Sequence, residues 1–377
     1  RMRVVTCVSV ALFARVVACI PLSQQTSNSS QHVSKRFYCF EEKDCHWMTL
    51  EEAIAYRRKH ASDCTDFIDF TDHMHFAGAP PNKKTSEFPD KPSHQDVVKP
   101  LVKQLSADRL KGTIEHLASY TNRYYTSDDG VSSQLWLADQ FRALGVGTVH
   151  LYNHSFAQPS VVLRIEGNAA PDQVVVLGAH ADSIAGFGGD KTAAPGADDD
   201  ASGVANLLEV AKVLSAHSEH GFNRTLEFIA YAAEEVGLRG SLDIAAEYEK
   251  RGVDVYAVYQ IEMSGYSNDG KGGVTLLTDY VDDRLVELSL LPALAAQRFL
   301  SPHSLPSSLF TSLTPFTLTH PRLTPDVCPH IPASPFSQRF RPQPRERIPL
   351  PPSQRDQVWL RMFRSCKLDP GKTIVCC

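Results

Sequence analysis

The chain has 377 residues, enough for two or three domains and a large buried core. With 42% hydrophobic and 21% charged residues its composition is that of a globular protein. A formal net charge of -5 gives no electrostatic reason to expect nucleic acid or an anionic membrane as partner.

The first residues read as targeting sequence. Arg1-Met2-Arg3 is a short basic start, and an apolar run from 4 to 17, broken only by Arg15, leads to small residues near Ala18. This is the anatomy of a signal peptide over 1–18, too short for a membrane anchor, and it implies a secreted, extracellular protein. A buried strand is the competing reading. No other stretch approaches about 18 apolar residues, so no membrane span is expected. The triplets at Asn28, Asn153 and Asn223 are glycosylation acceptors in a secreted chain. Cys39, Cys45 and Cys64 cluster after the signal; Cys39 and Cys45 could be bridged in an oxidising compartment, and the pairing stays open. No Cys-x-x-Cys pair exists to make a cysteine zinc module.

Residues 19–95 read as a propeptide or N-terminal extension. A dibasic pair, Lys35-Arg36, is either a processing site or solvated surface. Thr49, followed by Glu51 and Glu52, opens a short helix. A stretch over 78–100 rich in Pro, Lys and Ser reads as a linker. The pattern then becomes regular. Helical periodicity covers 98–119 and 134–144, the second closed by Gly145. A strand follows at 160–165, then a continuous apolar strand at 174–179 of the kind buried on both faces. Alternation continues with a helix over 202–216, a strand over 225–233, a helix over 241–251 closed by Gly252, and strands over 255–261 and 273–278. This order predicts an α/β fold in three layers, a mostly parallel mixed sheet flanked by helices. Its catalytic domain spans 96–288 and is incomplete on its C-terminal side. From about residue 290 the composition changes: the remainder holds most of the 24 prolines and one of the 21 glycines. Residues 289–377 therefore read as an aberrant or disordered Pro/Ser-rich tail.

Ligands in open α/β sheets gather beyond the carboxyl ends of the strands. Three strands here run into acidic or imidazole side chains at that end. His180 and Asp182 follow the first, Glu234 and Glu235 the second, and Glu262 the third. Asp198-Asp199-Asp200 stands just before a helix start. Taken singly, these are ordinary surface groups or acids favoured near a helix N-terminus. Together they would bring many carboxylates into one crevice, which is costly without a cation. Imidazole and carboxylate without thiolate suit zinc in a hydrolytic site. Consecutive glutamates on an extended chain point apart, so one can bind metal while the other serves as general base.

The blocks HADS, APGADDDASG, RTLEFIAYAAEEVGLRGS and YQIEMSGY resemble the metal-binding motifs of the M28 family of zinc aminopeptidases. LASYTNRYYTSDDGVSSQLWLADQF resembles the start of the same catalytic domain. The resemblance covers about 97–288. It implies a zinc exopeptidase-like fold and two Zn2+ ions per subunit, roughly 3.5–4 Å apart. It implies a monomer that hydrolyses N-terminal residues, Leu-like ones, from peptides or proteins with a free N-terminus. By motif, His180 would bind one zinc, Asp199 would bridge both, and Glu235 would bind the second. Glu234 would be the general base, and Asp182 would orient His180. Glu262 stands where the family has an aspartate, so it would bind with altered geometry. The family's last zinc ligand is a histidine near the C-terminus after a Ser-Asp-His segment, which no segment here matches. Two rivals follow: a related two-metal carboxypeptidase or glutaminyl-cyclase-like enzyme, and a non-catalytic secreted relative that has lost part of its zinc site. The absence of a Gly-x-Ser-x-Gly elbow argues against a serine hydrolase.

Overall fold

The computed structural model describes residues 34–41, 44–60, 67–77, 88–186, 189–265, 274–277, 281–289 and 373–376. The signal-peptide reading and almost all of the tail lie outside these residues. Among the described residues no helix is long and apolar enough to cross a membrane.

The chain begins with a small antiparallel sheet ordered β2-β1-β3, made of β1 (Arg36–Glu41), β2 (Asp44–Met48) and β3 (Ile68–Asp69). A disulfide joins Cys39 to Cys45 across the β1–β2 pair. Helix α1 (Leu50–Lys59) starts at Thr49 with a full capping box, in which Thr49 accepts from the Glu52 N–H and Glu52 accepts from the Thr49 N–H. The single helical pattern expected over 98–119 is two helices, α2 (Gln95–Val102) and α3 (Ala107–Leu117). Ser106 separates them, because its hydroxyl caps α3 by accepting from the Arg109 N–H at 3.3 Å. Helix α4 (Asp128–Arg142) starts earlier than its apolar period, at the Ser127 cap, whose hydroxyl accepts from the Gly130 N–H at 2.9 Å.

The large sheet contains β4 (Thr148–Tyr152), β5 (Ser160–Ile165), β6 (Ala170–His180), β7 (Arg224–Tyr231), β8 (Asp254–Glu262), β9 (Val274–Leu277) and β10 (Thr373–Cys376). Their order is β4-β5-β7-β6-β8-β10-β9. The centre, β7-β6-β8, is parallel, whereas β4 and β5 run antiparallel at one margin and β10 pairs antiparallel with β8. Crossovers between the parallel strands are made by α5 (Ala201–Ser215) and α6 (Arg239–Arg251), as a parallel pair requires. One face of the sheet packs Val161, Leu163 and Phe228 under α3, α4 and α5 through Leu117, Leu137, Phe141, Val204 and Leu207. The opposite face packs Val162, Val176, Ile229 and Val258 under α6 through Leu242, Ile244 and Tyr248. That is the three-layer arrangement the alternation implied.

The second apolar cluster also contains Phe37, Cys39, Ile68, Phe70 and Phe76. Residues 36–77, read above as part of a propeptide or extension, thus share a core with β6, β7 and α6. The tie is polar as well: the Asp69 N–H donates to Gly237 O at 3.0 Å, and Asp243 on α6 accepts from His73 at 2.6 Å and from His154 at 2.7 Å. Burial would raise the Asp243 carboxyl, but hydrogen bonds and charge from His154 and His73 hold it at about 2.

Two measurements check this packing. Phe70→Ala is expected to cost about 3–5 kcal/mol in urea unfolding, far more than Trp47→Ala at an exposed position; equal costs would show that the segment is detachable. The pH dependence of stability follows from the sign of the Asp243 shift. A carboxyl whose folded value is depressed contributes stability that is present above about pH 4 and lost as pH falls through about 2. Stability is expected to decline over that window and to decline less steeply in Asp243→Asn; parallel profiles would remove Asp243 from the account.

Candidate metal centre

His180 is the last residue of β6 and Glu262 the last of β8, so the parallel pairing of these strands brings both to the same edge of the sheet. Strand β7 ends at Tyr231, earlier than expected. Glu234 and Glu235 lie in the loop beyond it, after Ala233 in the left-handed region at φ 54°. Both therefore lie outside the strand, so the alternation of an extended strand does not apply to them. Met263, just after Glu262, is also left-handed, at φ 41°. Backbone strain of this kind persists only where surrounding contacts fix it, and it clusters at functional sites.

Asp182 does the fixing. Its Oδ1 accepts from the Glu234 N–H at 2.9 Å and its Oδ2 from the Glu235 N–H at 3.1 Å. The same Oδ1 stands 3.4 Å from His180 Nδ1. One buried carboxylate therefore sets the position of both glutamates and faces the back of the imidazole.

At the front, His180 Nε2 lies 3.0 Å from Asp199 Oδ1 and 3.1 Å from Glu262 Oε1, with Glu234 Oε2 at 3.9 Å. Asp200 is also close: His180, Asp200 and Glu262 each offer a ligand atom within 4.8 Å of the others. The hydrogen bonds separate the two aspartates. Asp200 is fully buried as the N-cap of α5. Its Oδ1 accepts from the Gly203 and Met263 N–H groups, and its Oδ2 accepts from the His180 N–H. Its oxygens are committed to backbone, whereas Asp199 presents Oδ1 to the imidazole. Asp199 Oδ1 and Glu262 Oε1 are the carboxylate oxygens that approach His180 Nε2.

The charges explain what such a set would hold. Burial lowers the proton affinity of His180, but the Glu262 and Glu234 charges, the nearby Asp182 carboxylate and a hydrogen bond with Asp199 raise it well above the usual imidazole range. Asp200 is raised by burial and then by the Glu262 charge. Glu262 is raised by burial, against the pull of His180, with Asp199 adding to the rise. Carboxylates held this way favour any cation that can replace the shared proton. An imidazole nitrogen facing two carboxylate oxygens, its other nitrogen buried without a hydrogen bond but 3.4 Å from a third carboxylate, fits a divalent metal. Glu235 is buried, and its N–H donates to Asp182 Oδ2. Among the described residues no second histidine lies at ion-pair distance from these carboxylates.

Sequence reasoning missed Arg123, which is completely buried. Burial depresses its pKa, and Asp182, Asp200, Asp199 and Glu235 oppose that shift. The only signal was its place in LASYTNRYYTS, a loop with no helical or strand period. A second constellation, Ser160–His154–Asp243, has hydrogen bonds of 2.8 and 2.7 Å and looks like an acyl-transfer triad. Ser160 is fully buried and its hydroxyl accepts from the Ala232 N–H, so it is structural.

Residues 160–283 match Peptidase family M28. The chain is 36% identical over 258 residues to leucine aminopeptidase 1 of Leptosphaeria maculans, covering 64% of this chain and 65% of that protein. It is 34% identical over 255 residues to a probable leucine aminopeptidase of Arthroderma benhamiae, covering 66% of this chain and 68% of that one. Among solved structures, the Legionella pneumophila LapA aminopeptidase superposes with a TM-score of 0.53 at 29% identity, covering 63% of this chain and 66% of that chain. The chain belongs to peptidase family M28. It spans 65% of the length of the L. maculans protein.

The two aspartates can be told apart by experiment. Asp199→Asn is expected to abolish tight zinc binding with little change in metal-free stability. Asp200→Ala is expected to cost about 1–2 kcal/mol of metal-free stability through the lost cap. The reverse pattern, in calorimetric titration and urea unfolding, would make Asp200 the ligand.

Proposed function

We propose that the protein is a secreted, zinc-dependent aminopeptidase that removes N-terminal residues, Leu-like ones, from peptides. The observation that carries this reading is the approach of Asp199 Oδ1, Glu262 Oε1 and Glu234 Oε2 to the single buried nitrogen His180 Nε2. The family membership and the leucine aminopeptidase relatives support the substrate class. The Cys39–Cys45 disulfide and the signal-like start support an oxidising, extracellular compartment.

His180, Asp199 and Glu262 would hold one ion. Asp199 and Glu235 would share a second. Bound zinc would supply a Lewis acid that polarises a carbonyl and lowers the pKa of water to about 7. Glu234 would be the general base that accepts a proton from the attacking water and returns it to the leaving amine. Asp182 keeps the Glu234 carboxylate in place through the Glu234 N–H, and the burial of His180, Asp182 and Glu262 keeps bulk water from screening these charges. A second reading, a relative that binds zinc without turnover, is favoured by one observation: Glu262 stands where the resemblance places an aspartate.

Hydrolysis of leucine-7-amido-4-methylcoumarin, followed with zinc titration, separates the two. Zinc-dependent turnover is expected. Glu234→Gln is expected to lower kcat by about 10²–10⁴-fold with zinc content unchanged. Loss of zinc in that variant would exchange the roles of Glu234 and Glu235. Zinc binding by the wild-type chain without turnover would establish the non-catalytic reading.

A further inference from the structure

We propose that Arg123 is a positioning residue for the metal centre, a buried cross-link that sets the spacing between the strand end carrying His180 and Asp182 and the loop carrying Asp199. The inference rests on the metal-centre reading above and concerns a residue outside the ligand set.

The cross-link is built from hydrogen bonds to backbone. Arg123 Nε donates to Ala181 O at 2.8 Å, between His180 and Asp182. Nη1 donates to Pro195 O at 2.5 Å and to Leu117 O at 3.2 Å, and Nη2 donates to Gly196 O at 3.0 Å. The Arg123 N–H donates to Ser183 Oγ at 2.9 Å, and that hydroxyl donates to Ala194 O at 2.7 Å. One residue thus touches the chain just after His180, just after Asp182, and just ahead of the Asp198–Asp200 turn. Gly196 is matched to it. Its φ is 51°, and a Cβ there would lie 2.8 Å from Arg123 Nη2, 2.6 Å from Ser183 Cβ and 2.5 Å from Asp199 O. The neighbouring Asn122 extends the tether through its amide to Asp190 O and Thr192 O at 2.8 and 3.2 Å.

A planar guanidinium satisfies several carbonyls in fixed directions, which an ammonium cannot reproduce. The guanidinium hydrogen bonds named above all go to carbonyls. The charge of Arg123 therefore remains within the field of Asp182, Asp199, Asp200 and Glu235. Two effects of removing Arg123 then oppose each other. Loss of a positive charge beside the carboxylates would tighten binding of a cation. Loss of the cross-link would loosen the spacing between His180 and Asp199 and weaken it. A positioning role means that the second effect wins.

The test uses the full chain with Arg123→Met and Arg123→Lys, zinc as the probe, and three readouts: zinc affinity by competition with a chromophoric chelator, the electronic absorption of the cobalt-substituted protein, and metal-free thermal unfolding. Arg123→Met is expected to weaken zinc binding by about 10–100-fold, the range for residues that orient metal ligands, with a shifted cobalt spectrum and a cooperative metal-free transition. Arg123→Lys keeps the charge and is expected to weaken binding by a smaller factor while shifting the spectrum the same way. Should the methionine variant not fold, the lysine variant decides by itself. Wild-type affinity and spectrum in Arg123→Lys, or tighter binding in Arg123→Met, would overturn the proposal. A wild-type chain that binds neither zinc nor cobalt would instead overturn the metal centre on which it rests.

Discussion

The carboxylates of Asp182, Asp199, Asp200, Glu234 and Glu262 crowd around a single imidazole at one edge of the sheet, and most of them are buried. Two unit charges 4 Å apart repel by about 4 kcal/mol even at an effective dielectric of 20, while a hydrogen bond to a charged group returns about 1.5–3 kcal/mol. Hydrogen bonds cannot offset several such pairs, so the fold divides the problem. Asp182 and Asp200 are stabilised by backbone N–H groups. Arg123 places a fixed cation below them. Asp199 and Glu262 are left to His180 and to whatever cation the site receives.

This arrangement depends on the parallel centre of the sheet. Because β6 and β8 run in the same direction in adjacent positions, their last residues are neighbours, and β7 on the other side of β6 delivers the glutamate loop to the same edge. The left-handed residues Ala233 and Met263 turn the chain away as soon as each strand ends. The N-terminal sheet supports the glutamate loop from behind, through the Asp69 N–H to Gly237 O and through Phe70 and Ile68 against the α6 face. Sheet, loop and N-terminal segment thus form one mechanical unit.

Much of this was legible in the sequence where one element carries one signal. The continuous apolar run of β6 and the Thr49 cap with Glu52 three residues on were readable in this way, as were the acidic residues at strand ends. The boundaries were less so. Helix α4 begins at Ser127 because a cap precedes its apolar period, and the break between α2 and α3 is made by the Ser106 cap while the apolar spacing continues past it. Within the site, the motif resemblance pointed to His180, Asp199 and Glu262, and the backbone hydrogen bonds of Asp200 add a physical difference between it and Asp199. Arg123 and the packing of residues 36–77 were illegible for a shared reason. Both act through contacts with residues far away in sequence, Ala181 and Pro195 in one case and Leu238 and Leu242 in the other, and no local pattern encodes such a partner.

The central claim is that the crevice at the ends of β6 and β8 is a metal site whose ligands are His180, Asp199 and Glu262. The most direct measurement is an anomalous difference map from crystals of the full chain grown with zinc, recorded on both sides of the zinc edge. The account predicts a peak within about 2.0–2.2 Å of His180 Nε2 and of one oxygen each from Asp199 and Glu262. A map with no peak in that crevice, or with zinc bound through Asp200 in place of Asp199, would contradict it.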